Sequence, residues 1–577
     1  MGRRPLGAMH VAKITSIQKG KVYSSTLLRR TYREGGKVKH QTLANLSALP
    51  DAAIEVLRQV LRGEAVGALD TRFNIERSLP HGNVLAVLGA LRSLGLEKML
   101  GPDCRERDLA VGMIVARVLT PASKLATTRL WNCSTLASVL GVSDASEDEL
   151  YAAMDWLGQR QDKIENKLAA EHLNDGGVVF YDLSSTYFEG SQCPLAKRGY
   201  SRDGMRGTLQ IEFGVITDPD GRPVAIEVFS GNASDPSTVA SQVDKLKHRF
   251  KLDDVVLVGD RGMLTSARIS ALKEVGGIQW ISSLRSPQIR ALVNSGNLQL
   301  GIFDKTDLAE IADAAFPGER LVVCKNPLLA AERARKREDL LQATEVELDK
   351  IVARVQRGNL VDAGDIGMAV GRAIQRYKMS KHFAKGISHG SFSYQRDQSA
   401  IRQEASLDGI YIVRTSLPES RLGTADVVRA YKRLAQAERV FRGMKSSDLA
   451  VRPVHHRLEQ RVRAHMFICM LAYYVQWHLE QAWAPLLFKD EERPVQQDPV
   501  APAKRSDAAL QKASSRRTTS GAPAHSLRTL LREMETLTRN RVVPQGADTS
   551  ASFDMLATPT ELQARALALL KLTPASL

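Results

Sequence analysis

The stretch from Gly177 to Leu284 constrains this chain more than any other. GGVVFYDLSS is a strand-like apolar run, and TLQIEFGVITDPDGRPVAIEVFSG reads as two strands joined at an Asp-Pro-Asp-Gly turn. DPSTVASQVDKLKHRF has helical periodicity; VVLVGD, SARISALKEVG and IQWISSL then read as strand, helix and strand. A hairpin followed by alternating helices and strands predicts a mixed sheet covered by helices, in the order β-β-β-α-β-α-β.

That order is the layout of a ribonuclease-H-like domain. The predicted fold class is therefore α/β: a ribonuclease-H-like catalytic domain interrupted by an insertion, with a basic N-terminal unit and a helical N-terminal region. At 577 residues the chain exceeds one ordinary core, and several domains are expected. Residues 1–46 hold ten Lys or Arg and one acid, Glu34, in alternating segments around an EGGK turn. They read as a β-hairpin unit, either a DNA-contacting arm or a solvated basic surface, and the unit is placed at 1–80. Residues 81–174 read as a helical region suited to DNA binding. The catalytic core occupies 175–285 and resumes at 405–485. Between them, 286–404 is the insertion, whose charged run NPLLAAERARKREDLLQATEVELDKIVARVQRG is either a coiled-coil arm or a solvated helix. Residues 486–525, poor in large apolar groups, read as a flexible linker, and 526–577 as a C-terminal helical tail.

Net charge is +16, from 80 Lys and Arg against 64 Asp and Glu, which favours a polyanionic partner. Five cysteines, Cys104, Cys133, Cys193, Cys324 and Cys469, show no paired spacing and fit the reduced thiols of a cytosolic protein. The basic N-terminus is not followed by an apolar signal core. The most apolar stretch, Met466 to Leu479, falls short of the ~20 residues that span a bilayer and reads as a buried helix. No membrane association is expected.

Three acids stand in chemically legible settings. Asp182 follows Val178-Val179-Phe180-Tyr181, so its strand can be buried while the carboxylate emerges at one end. Asp260 ends Val255-Val256-Leu257-Val258-Gly259 and precedes Arg261-Gly262. Adjacent strands would bring the two together, and hard oxygen ligands suit magnesium or manganese in two-metal phosphoryl chemistry. Glu438 lies in the basic helix YKRLAQAERVFRGMKS. Residues seven apart return to nearly one helical face, so Tyr431, Glu438 and Lys445 form a stripe, with Arg442 one turn beyond the Glu. Asp218 and Asp220 sit in a Pro-Gly turn that favours Asp for local hydrogen bonding. His455 and His456 are open to either DNA contact or packing.

These residues resemble the DDE transposases of bacterial insertion sequences, specifically family four, whose third motif is Tyr-x2-Arg-x3-Glu-x6-Lys. Tyr431, Glu438 and Lys445 match it; the Arg position is Leu434, with Arg433 beside it. Either Arg433 substitutes from an adjacent direction or that phosphate contact is missing. YDLSSTYFEG, GDRGM, LDGIYIVRTS and FRGMKSSDLAVRPVHHRLEQRVRAHMFICMLAYY are similar to family sequence as well.

The resemblance implies that Asp182, Asp260 and Glu438 bind two Mg²⁺ ions, with Mn²⁺ as substitute, and catalyse DNA cleavage and strand transfer. It assigns phosphate contacts to Tyr431, Lys445 and Arg433, with Arg261 and Arg442 as further candidates. The implied partner is double-stranded DNA, both terminal inverted repeats and target, bound by a homodimer in the bacterial cytoplasm and nucleoid-associated when on DNA. Two other readings stay open: a nuclease of the same fold without strand transfer, and a catalytically inactive DNA-binding relative.

Overall fold

The computed structural model describes residues 9–18, 21–34, 36–63, 73–205, 207–304, 307–446, 448–494, 497–545 and 551–576. The chain divides into two compact units.

The first unit comprises residues 1–83, 133–135 and 532–564. Strands Met9–Gln18, Lys21–Glu34 and Lys37–Asn45 form an antiparallel sheet, followed by the helix Asp51–Leu61. The second and third strands meet at Glu34 and Lys37, where the EGGK turn was expected; its Gly35 lies outside the described residues. Every residue of Lys37–Asn45 is exposed. A second sheet joins Phe73–Pro80 to Thr538–Pro544 and then to Phe553–Leu556. The expected helical tail at 526–577 is thus only partly helical. TRNRVVP alternates apolar and polar groups too weakly to read as a strand alone, and its strand character comes from pairing with a segment more than 450 positions away in the chain.

In the second unit the region before Asn174 carries the helices Arg105–Leu119, Glu147–Gly158 and Gln161–His172. Ser146 and Glu149 close a reciprocal capping box at the start of Glu147–Gly158. The apolar stretch at Met466–Leu479 lies within the helix Glu459–Ala482, buried in the protein core. Gly443 allows this helix to approach Thr424–Lys445 closely, because a Cβ there would stand 2.4 Å from the Tyr473 ring. No single helix among the described residues is long and apolar enough to cross a membrane.

The central sheet has eight strands, in the spatial order Leu308–Ile311, Arg320–Lys325, Ile410–Thr415, Ile278–Ser283, Val255–Val258, Val178–Tyr187, Gln210–Thr217, Pro223–Ser230. Val178–Tyr187, Val255–Val258 and Ile278–Ser283 are mutually parallel, and the remaining pairings are antiparallel. With the helices Asp235–Asp244 and Ser266–Val275, the expected β-β-β-α-β-α-β order is present. One face is closed by the helix Thr424–Lys445, whose Val427, Val428, Leu434 and Ala437 join Phe180, Val256, Val258 and Val413 in a buried cluster.

The interruption starts later than residue 286. Leu308–Ile311 and Arg320–Lys325 belong to the central sheet, where Arg414 makes a two-pronged ion pair with Glu319, both nearly buried, at 2.7 and 2.6 Å. Beyond them, the helices Pro327–Gln356 and Ala363–Tyr377 and the hairpin Phe383–Ser388/Ser391–Arg396 enclose their own apolar cluster. The charged run is therefore neither a coiled-coil arm nor a free helix: Leu341, Leu348, Ile351 and Val355 are buried there. Residues 486–525, expected as a flexible linker, carry the helix Asp507–Ser515. Polar groups tie this segment down where apolar ones are few. Ser506 donates to Asp490 at 2.7 Å, and the buried Lys512 ammonium to Glu491 at 2.8 Å.

Candidate active site

The parallel strands set the geometry. Val178 faces Val256, Val179 faces Leu257, and Phe180 faces Val258. Asp182 and Asp260 each follow two residues later, so the register carries both to one level; Asp260 lies just past the end of Val255–Val258, whereas Asp182 sits within Val178–Tyr187, which runs on to Tyr187 instead of ending at the acid as the sequence suggests. Gly259 still donates to the Ile281 carbonyl at 3.1 Å, which holds the chain in line up to Asp260. Asp260 Oδ1 accepts from the amides of Gly262 and Met263 at 2.7 and 2.9 Å. Asp182 Oδ1 accepts from the Leu183 amide at 2.8 Å.

Glu438 follows the buried Ala437 and is exposed, with no hydrogen bond or ion pair among the described residues. It lies within electrostatic reach of Asp182. Burial pushes the Asp182 carboxyl up to about 7, and the negative charges of Asp260 and Glu438 push in the same direction. Tyr431 belongs to this neighbourhood as well: burial raises its hydroxyl, with Asp260, Arg261 and Glu438 all acting on it.

The structure thus brings Asp182, Asp260, Glu438, Tyr431 and Arg261 together, and Lys445 joins them through Ser184. Lys445 Nζ donates to Ser184 Oγ at 2.6 Å and to Asp203 Oδ1 at 2.9 Å. Ser184 is two residues beyond Asp182, on the same face of its strand. Tyr431 and Lys445 do not present free polar ends: the Tyr431 hydroxyl shares a 2.7 Å hydrogen bond with Ser283 Oγ. Arg261, Arg433 and Arg442, by contrast, are exposed and have no acidic partner among the described residues. Leu434, at the motif's Arg position, is 7% exposed and packs in the core, so Arg433 points elsewhere.

Two neighbours were not visible in the sequence. Asp203 pairs with both Lys445 and Arg452 at 2.9 Å. Arg202 reaches Glu212 at 3.2 Å and counters the charge of Asp182. Arg202 and Asp203 lie in an irregular loop with no periodicity to flag them; only the tertiary contact does. Asp218 is the turn residue expected, accepting from the amides of Asp220 and Arg222 at 3.0 and 2.8 Å.

The chain matches the Transposase DDE domain over residues 194–475 and the IS1634 family transposase N-terminal domain over residues 11–69. The chain is a DDE transposase of an insertion sequence. The DDE match spans Asp260 and Glu438 and begins just after Asp182. No curated protein matches the transposase. A solved structure titled "Cryo-EM structure of piggyBac transposase synaptic complex with hairpin DNA (SNHP)" aligns at a TM-score of 0.36 with 10% identity, covering 80% of this chain and 82% of that one.

DDE transposases act on DNA with divalent metal ions. The donor set here fits a hard cation, being three carboxylates with no His or Cys among them. Asp182 Oδ2, Asp260 Oδ2 and the Glu438 carboxylate take no hydrogen bond from the described residues. As they stand, no group of three or more His, Cys, Asp or Glu among the described residues is set closely enough to cage an ion.

Proposed function

We propose that the transposase cuts and joins DNA at a site formed by Asp182, Asp260 and Glu438 on a ribonuclease-H-like core. The supporting observation is the shared level of Asp182 and Asp260 on neighbouring parallel strands, with Glu438 in electrostatic reach from the covering helix. The three carboxylates would hold two Mg²⁺ ions, with Mn²⁺ as substitute. Bound there, the ions would activate a water or a 3′-hydroxyl and stabilise the leaving oxygen.

The remaining residues act on the DNA backbone. Arg261, Arg433 and Arg442 are exposed cations without acidic partners among the described residues, suited to phosphate contacts. Tyr431 and Lys445 position rather than reach. Tyr431 fixes the helix to Ser283, and Lys445 fixes it to the Asp182 strand through Ser184. A phosphate drawn into the site would compete for both side chains. The DNA substrates are the terminal inverted repeats of the element and a target duplex. A homodimer would bring two ends together.

The test is strand transfer in vitro, with the inverted repeats that flank the encoding gene, a target plasmid and Mg²⁺. Joined products support the proposal. Cleavage without joining points to a nuclease, and specific end binding without metal-dependent chemistry points to an inactive relative.

A further inference from the structure

A cavity of about 680 Å³, not lined by any of the three carboxylates, lies between the helical region and the segment that follows Lys445. Its walls carry five cations, Arg117, Lys124, Arg452, Arg457 and Arg461, and no Asp or Glu. Two of the five are neutralised from outside the cavity: Arg452 by Asp203 at 2.9 Å and Arg461 by Asp155 at 3.2 Å. The other three have no acidic partner among the described residues. Arg117, 7% exposed, donates only to the Ala122 carbonyl at 3.2 Å. Lys124 is 4% exposed, and its ammonium makes no hydrogen bond or ion pair among the described residues. Arg457 is exposed at the wall.

An unpaired ammonium in a nearly buried side chain beside a guanidinium is unfavourable until an anion joins it. Burial and Arg117 hold Lys124 down at about 7, so an anion entering the cavity would draw a proton onto it. His465, 5% exposed on the same wall, has a buried Nδ1 with no partner.

We propose that this cavity is a second DNA site, taking one phosphodiester of the bound substrate on Lys124, Arg117 and Arg457. The ligand chemistry is a phosphate group, because three unpaired cations converge on a space with no acid in its walls. DNA is the favoured source because the wall continues into the catalytic neighbourhood. Arg452 shares Asp203 with Lys445, and Lys445 binds Ser184 beside Asp182. The volume exceeds one phosphate, and the Tyr151 and His456 rings, edge to face at 6.0 Å, form an aromatic wall suited to the attached nucleoside. The choice of DNA rests on the active-site proposal; the anion site itself does not.

The experiment measures binding of full-length protein to an inverted-repeat duplex in EDTA, as a function of NaCl, for wild type, K124Q, R457Q and D182N. Each lost phosphate contact should reduce the slope of log affinity against log salt by about one. K124Q and R457Q should each bind about tenfold more weakly at 0.15 M salt, the scale of one charge-assisted hydrogen bond. Thermal melting checks that both fold, and the exposed Arg457 guards against a folding defect specific to Lys124. Unchanged affinity and slope in both variants overturn the proposal. Inorganic phosphate raising the melting temperature of wild type but not of K124Q, with DNA affinity equal, overturns the DNA assignment in favour of a free-anion site. D182N should bind as wild type; if it also joins DNA normally, the active-site proposal fails while the cavity result stands.

Discussion

Asp182, within its strand, and Asp260, just past the end of the neighbouring parallel strand, each lie two residues beyond the facing pair Phe180 and Val258. That relationship follows from two short apolar runs ending in Asp, once the runs are laid side by side in register. It also sets up the charge problem of the site. With Glu438 nearby, the Asp182 carboxyl is pushed up to about 7, chiefly by burial and then by its two acidic neighbours. A divalent cation is the group that relieves such a cluster.

Asp203 should matter for stability as well as for the site. It is the shared carboxylate for Lys445 and Arg452, and its side chain is only 5% exposed. Asp203→Ala leaves the largely buried Lys445 without a carboxylate and should cost on the order of 3 kcal/mol, read from denaturant unfolding. Asp203→Asn, which keeps an acceptor, should cost less. Equal stability of wild type and Asp203→Ala would show that the pair contributes nothing.

Restoring the motif Arg should harm this chain. Leu434 packs in the same buried cluster as Phe180, Val256 and Val258. Leu434→Ala should lose about 2–5 kcal/mol, as buried Leu truncations do. Leu434→Arg should lose more, because it forces a guanidinium into that apolar cluster, and should not raise strand transfer. A gain in joined product from Leu434→Arg would mean that the helix can rotate to use it.

The unpaired Lys124 should leave a signature in stability against pH. Its folded value is about 7 against an ordinary 10.5, lowered first by burial and then by Arg117, with Cys469 opposing. The unfolded chain therefore binds more protons between those values, and stability rises with pH across that window. In phosphate-free buffer, the denaturant midpoint of wild type should climb relative to K124M from about pH 7 to pH 10. Below pH 7 the two should run in parallel.

The core order was legible because it rests on local patterns, apolar runs ending in Asp and a Pro-Gly hairpin; the proposed acids were singled out by the same runs and by a helical stripe. What was not legible depends on distant partners. The Thr538–Pro544 strand forms by pairing with Phe73–Pro80. The Arg320–Lys325 strand sits where an insertion was expected, because its apolar run takes meaning only beside Ile410–Thr415. Order in 486–525 comes from buried polar contacts at Ser506 and Lys512, which composition does not report. At the site, Tyr431 and Lys445 were expected to reach phosphate, and instead each is bonded to a neighbouring strand. Lys124 and Asp203 carried no sequence signal at all; a lone Lys near a helix start and an Asp in a loop are ordinary features.

The measurement that bears most directly on the account is joining of inverted-repeat DNA to a target in Mg²⁺ by Asp182→Asn, Asp260→Asn and Glu438→Gln, beside wild type. Each variant should bind the inverted repeat in EDTA as wild type does. Each should form at least about a hundredfold less joined product, the scale on which losing one preorganised charge-stabilising group acts. Wild-type joining by any one of the three would remove that carboxylate from the site and contradict the assignment.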